Sequence, residues 1–96
     1  MNIDEVDIKN PTKEEAEYIM KLLDERTKEY PKGTFVITEE YHPDGGQGRR
    51  IRSEKEATQK LGKREGAPYI LSFFKREYYE SILNEFAEQD NASSCT

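Results

Sequence analysis

The residues whose types could do chemistry lie in two places, around His42 and along the run that starts at Arg49. His42 is the single histidine, and Glu39, Glu40 and Asp44 stand beside it. Zinc asks for three or four imidazole or thiolate ligands, and the one thiol, Cys95, sits next to the last residue. A metal-dependent nuclease can work through carboxylates and a lysine, but Pro43-Asp44 is not followed by an acidic-x-Lys triplet at a suitable spacing. Cys95 would need a histidine beside it on an ordered scaffold to act as a nucleophile. Asp44-Gly45-Gly46-Gln47-Gly48 carries neither a P-loop nor a dinucleotide fingerprint and reads as a hairpin loop. No catalytic residue, metal ligand or cofactor is predicted.

The second place is basic. Arg49, Arg50, Arg52, Lys55, Lys60, Lys63 and Arg64 face only Glu54 and Glu56 within the same segment. Nucleic-acid phosphates require this local positive density, because each neutralised phosphate releases counterions. An arginine-bearing strand followed at once by a capped helix could offer a ribbon or a helix to a groove. Arg49-Arg50-Ile51-Arg52-Ser53, with Glu56-Ala57 and Leu61-Gly62 after it, resembles the strand-to-helix junction of small DNA-binding modules. Methyl-CpG-binding domains and the arm-binding domains of tyrosine recombinases have a junction of this kind. The resemblance covers only Arg49 to Gly62. It implies a sheet of three or more strands, whereas two are predicted here, and it does not imply a C-terminal amphipathic helix.

Charge is unevenly laid out along the 96 residues. Residues 1–30 carry five basic and nine acidic side chains, residues 31–76 ten and six, and residues 77–96 none and five. The net charge of -5 therefore conceals a basic middle between acidic ends, which is evidence about partners rather than fold. Apolar residues make up 33% of the chain and charged residues 36%, so a thinly cored single domain is expected. Such a domain gains from a partner, and a homodimer is one possibility. No stretch approaches the length of a membrane span, and MNIDEVDIKN lacks the plan of a signal peptide. The cytoplasm is the expected compartment.

The elements that must position these residues follow from pattern. Residues 1–11 read as a flexible lead-in. Thr12-Lys13-Glu14-Glu15 is a capping box, and Ala16, Ile19, Met20, Leu23, Thr27 and Tyr30 form one helical stripe that Pro31 and Gly33 end. Residues 34–41 read as a strand, and Arg49–Arg52 as its hairpin partner. Ser53-Glu54-Lys55-Glu56 opens a short helix that buries Ala57 and Leu61, with Gly62 suited to its end. For residues 67–89 Pro68 suits a first helical turn, and Ile70, Phe74, Tyr78, Ile82 and Phe86 recur at four-residue steps. One long amphipathic helix is favoured there, with a strand over 69–74 as the alternative. Residues 90–96 read as a disordered tail.

The predicted fold is thus α+β, a small single domain over residues 12–89. Its order is helix, two-stranded antiparallel hairpin, short helix, long C-terminal amphipathic helix. The expected function is a non-enzymatic binding module that contacts DNA or RNA phosphates through the basic segment. The alternative is an adaptor or inhibitor of the mobile-element or phage type that docks a larger protein. Aromatic anchors dominate such interfaces, and Tyr69, Phe73 and Tyr79 are the candidates.

Overall fold

A computed structural model of the chain describes residues 1–43, 46–63 and 69–94, with side chains as far as Gln89. The helix α1 spans Lys13–Glu29 and begins in the capping box that its sequence encodes. Thr12 Oγ1 accepts from the Glu15 N–H at 3.1 Å, and the Glu15 carboxylate accepts from the Thr12 N–H at 2.9 Å. Two orphan donors of the first turn are satisfied this way. The buried stripe of α1 is Ala16, Ile19 and Leu23.

The strand β1, Phe35–His42, pairs antiparallel with β2, Gly46–Ser53, and the short helix α2 follows at Glu54–Lys60. Ser53 Oγ caps α2 by accepting from the Glu56 N–H at 3.2 Å. Just beyond α2, Gly62 adopts a φ of 73°, the left-handed geometry that glycine takes most readily after a helix.

The next element departs from expectation. Residues 69–75 form a third strand, β3 (Tyr69–Lys75), and the helix α3 starts only at Arg76 and runs to Ser94. The sheet order is β2-β1-β3, antiparallel throughout. A two-stranded hairpin would have left one edge of β1 with unpaired N–H and C=O groups, although Val36, Ile37 and Thr38 in succession are buried. Buried backbone groups must be paired, and β3 pairs them. The α+β class holds, with three strands where two were expected.

Residues 1–11, expected as a loose lead-in, are packed. A 3-10 turn forms at Ile3–Glu5, and Val6 and Ile8 are buried to 1% and 2% exposure. The Glu15 carboxylate also accepts from the Asp7 N–H at 3.0 Å, which ties the segment to the start of α1. At the other end, α3 continues to Ser94, past Asp90 where the tail was expected to begin.

Side chains partition by sheet face. Val6, Ile8, Ala16, Ile19, Leu23, Ile37 and Tyr79 form the larger core, so α1, α3 and the N-terminal segment cover one face. Val36, Ala57 and Ile70 form a smaller cluster on the other, beneath α2. Arg76 clips α3 to α1, with its Nε 2.7 Å from Asp24 Oδ1 and its Nη1 3.0 Å from Glu80 Oε2.

Candidate functional site

Cross-strand partners in an antiparallel pair share a face. Glu40 points to the α2 side, and its carboxylate is fully buried. Arg52, on the neighbouring strand, donates from both Nε and Nη2 to that carboxylate, the second bond measuring 2.9 Å. The Thr38 hydroxyl donates to it as well. Arg52 Nη1 reaches on to Glu56 Oε1 at 3.2 Å, and Lys60 Nζ donates to the same oxygen at 3.1 Å. Burial pushes the Glu40 carboxyl upward, but the Arg52 and Thr38 hydrogen bonds and the Arg52 and His42 charges outweigh it. The group lies below its ordinary value. Arg52 is held above its own ordinary value chiefly by its hydrogen bond to Glu40.

This network divides the basic segment. Arg52 and Lys60 are bound to carboxylates inside the fold. Arg49 is folded back on the N-terminal turn, its N–H donating to Asp4 Oδ1 at 3.1 Å and its Nη1 to the Asp4 carbonyl. Arg49, Arg50, Lys55 and Lys63 form no ion pair among the described residues, and Arg50, Lys55 and Lys63 are exposed. Arg64 lies outside the described residues. Arg49 and Arg50, being successive on β2, project to opposite faces, so the segment does not present its charges as one block.

The aromatic candidates separate in the same way. Tyr79 is fully buried, and its hydroxyl donates to the Ile8 carbonyl at 2.7 Å. Burial pushes that hydroxyl's pKa up. It packs edge-on against Tyr78, centroids 5.2 Å apart, so Tyr79 is core and offers nothing to a partner. Phe73 is half-buried against the cluster under α2. Tyr69 is half-buried beside Tyr41, its register partner.

A different set of apolar side chains is exposed. Tyr41, Leu61 and Leu71 have 45%, 44% and 40% of their surface open. All three have their backbone beside or within the first residues of β3. Tyr41 pairs with Tyr69. Leu71 is the extra residue of a bulge, since Ser72 pairs with Glu39 and Ile70 with Glu40. Leu61 bridges to Ile70 along the outer edge of β3, where the Gly62 N–H also donates to the Ile70 carbonyl at 3.0 Å. Bulges re-aim side chains in this way. The other large exposed apolar residues, Met1 and Tyr30, lie apart, Tyr30 against Phe35 at the end of α1.

Among the described residues no three His, Cys, Asp or Glu side chains are grouped to hold a metal ion, and no helix is long and apolar enough to cross a membrane. An open concavity of about 760 Å³ runs along α1 beside Leu83, with Met20 and Pro31 in its lining. No family model, curated protein or solved structure matches the chain, so its own geometry is what bears on function.

Proposed function

We propose that the chain is a non-enzymatic protein-binding module that docks a larger protein through the sheet corner formed by Tyr41, Leu61 and Leu71, with Tyr69 beside them. The observation that carries this reading is that three exposed apolar residues stand at backbone positions around one end of β3. Scattered exposed hydrophobics are ordinary, whereas several gathered at one end of a strand point to an interaction surface. Leu71 carries particular weight, because a bulge that spends an unpaired residue on an exposed leucine returns nothing to the fold. Aromatic side chains ringed by polar groups are the usual anchors of such contacts.

Nucleic-acid binding is the second reading. It is favoured by Arg50, Lys55 and Lys63, which are exposed and have no carboxylate partner among the described residues. It ranks second because Arg52 and Lys60 are consumed by Glu40 and Glu56, and a polyanion site gains with each phosphate neutralised.

Paired assays separate the two. In the first, immobilised wild type and Leu71→Glu are used to capture proteins from nuclease-treated extract of the source cells. In the second, fluorescence anisotropy follows binding of single- and double-stranded DNA and RNA across a salt series. The expected result is a discrete protein retained by wild type and lost with Leu71→Glu, with Arg50→Glu/Lys55→Glu/Lys63→Glu still retaining it. Salt-dependent oligonucleotide binding abolished by that triple variant, with no Leu71-dependent protein, would reverse the order of the readings. Sedimentation velocity of the same samples shows whether the docked protein is a second copy of the chain.

A further inference from the structure

In an antiparallel ladder, alternate residues of an edge strand turn both N–H and C=O away from the neighbouring strand. On β2 the Glu54 N–H beyond its end donates inward to the Thr34 carbonyl, while the Arg49 N–H donates outward to Asp4 Oδ1. Arg49 and Ile51 are therefore the outward-turned residues. Asp4 occupies the edge at Arg49, and Ser53 is taken up as the cap of α2. Between them the Ile51 N–H and C=O have no hydrogen-bond partner among the described residues. Such an edge is a template for another chain. We infer that it accepts a short extended peptide as a fourth, antiparallel strand, selecting an aliphatic residue followed by an acidic one.

The side chains around Ile51 carry the selection. A residue added opposite Ile51 shares its face of the sheet, which is the α1 side, because Ile51 packs against the larger core. An open cavity of about 170 Å³ lies there, lined by Leu22, Ile51, Glu25, Arg26 and Glu29. Leu22 and Ile51 are half-buried, and Glu29 lies 3.7 Å from Arg26. The two glutamates repel a carboxylate at this position, whereas an aliphatic side chain can pack on Leu22 and Ile51. The next residue of an antiparallel addition stands beside Arg50, on the opposite face with Thr38. Arg50 is exposed and forms no ion pair among the described residues. Arg52, beside the residue before the aliphatic one, is already bound to Glu40 and Glu56. One acidic side chain after the aliphatic one therefore meets one free guanidinium.

Charge argues against a second copy of the chain as the occupant. Pairing two β2 strands about Ile51, which leaves Asp4 in place, sets Arg50 of each copy opposite Arg52 of the other. Like charges directly opposite are destabilising. Strand addition takes its affinity from main-chain bonds and its specificity from alternate side chains, and the Ile51 edge supplies both. It lies across β1 from β3, so this surface and the Tyr41–Leu61–Leu71 corner can each fail without the other.

The test is a titration of the whole chain, followed by ¹H–¹⁵N NMR, with three short capped peptides of threonines around a central pair. The pairs are Ile-Glu, Ile-Gln, and Ile-Glu with the isoleucine nitrogen methylated. Ile-Glu should give saturable shifts centred on the Ile51 amide, which should exchange more slowly with solvent in the complex. Ile-Gln should bind roughly two- to fivefold more weakly, the worth of an exposed ion pair, and Arg50→Gln should erase that difference. The methylated peptide, unable to donate to the Ile51 carbonyl, should not bind. Leu71→Glu should bind Ile-Glu as the wild type does. Shifts that never saturate, equal binding of the methylated peptide, or a preference for Ile-Glu that survives Arg50→Gln would overturn the proposal. So would loss of binding in Leu71→Glu, which would assign the peptide to the corner. Concentration-dependent protection of the Ile51 amide without peptide would likewise overturn it and give the edge to a second copy.

Discussion

Arg52→Met is the substitution that most sharply separates a structural arginine from a partner-binding one. The Glu40 carboxylate has no exposed surface, and Arg52 supplies two of its hydrogen bonds. Removing the guanidinium leaves a buried negative charge with the Thr38 hydroxyl and, 3.2 Å away, His42. Breaking a buried pair from one side costs about 3–5 kcal/mol, and these two remaining groups put the expected cost near the lower end. For a domain of this size a loss of about 3 kcal/mol lowers Tm by roughly 12–24 °C. Glu40→Met/Arg52→Met removes both charges and should recover most of that loss, because a well-packed apolar pair substitutes for a buried ion pair at little cost. Urea unfolding followed by circular dichroism gives both midpoints, and an unchanged m-value keeps the comparison two-state. A loss below about 1 kcal/mol for Arg52→Met, or a double variant no better than the single one, would refute the assignment of this network to the fold.

Three further outcomes follow from the same structure. Glu40 and Glu15 both sit below their ordinary value of 4.5, Glu15 through the Thr12 and Asp7 N–H groups. A carboxylate lowered by folding stabilises fully above its unfolded value and stops doing so as pH falls through the folded one. The urea midpoint should therefore be flat near neutrality and decline below 4.5, less steeply in Glu40→Met/Arg52→Met; a midpoint that rises on acidification would contradict this. Tyr79→Phe strands the buried Ile8 carbonyl that the hydroxyl now serves and should cost about 1–3 kcal/mol, read by thermal denaturation, with a neutral result placing that carbonyl in contact with water. Thr12→Ala dismantles the capping box and should cost about 1 kcal/mol; hydrogen exchange would show it as faster exchange confined to the first turn of α1, and uniform acceleration would mean that the cap is not what was lost.

The parts of this fold that were legible in the sequence are those governed by local rules. Thr12 and Glu15, and Ser53 before Glu56, announce helix starts because capping uses residues three apart in the chain. Phe35 to Tyr41 announces a strand through β-branched and aromatic content. The error over residues 69–75 has a specific cause. Ile70 and Phe74 are four apart, and a spacing of four keeps one face in a helix and in a regular strand alike. The following Tyr78, Ile82 and Phe86 then extended the helical interpretation backward across the boundary at Arg76. The bulge at Leu71 completes the concealment, since Ile70 pairs with Glu40 and Phe74 with Ile37 on opposite faces. Nothing in a linear pattern marks a bulge.

The site was less legible than the fold, for a reason of distance. The basic run from Arg49 is plain in sequence, but the carboxylate that takes up Arg52 is Glu40, twelve residues earlier. Only the β1–β2 register brings them together. Tyr79 was conspicuous as an aromatic and is buried because the N-terminal segment folds back to meet it. Leu61 and Leu71 drew no notice as surface residues, because single leucines at those positions read as core. One signal was available: Leu61 follows Lys60 and precedes Gly62-Lys63, a polar setting in which an apolar residue has few ways to be buried.

Photo-crosslinking amino acids introduced at Leu71 and at Tyr41, with Glu14 on the solvent side of α1 as the control, would interrogate the corner directly in cells of the source organism. If that corner is the docking surface, Leu71 and Tyr41 give a discrete, nuclease-resistant protein adduct that Glu14 does not give. Silence at both corner positions, alongside nuclease-sensitive adducts from Arg50, Lys55 or Lys63, would mean that the chain meets a nucleic acid through its basic segment instead.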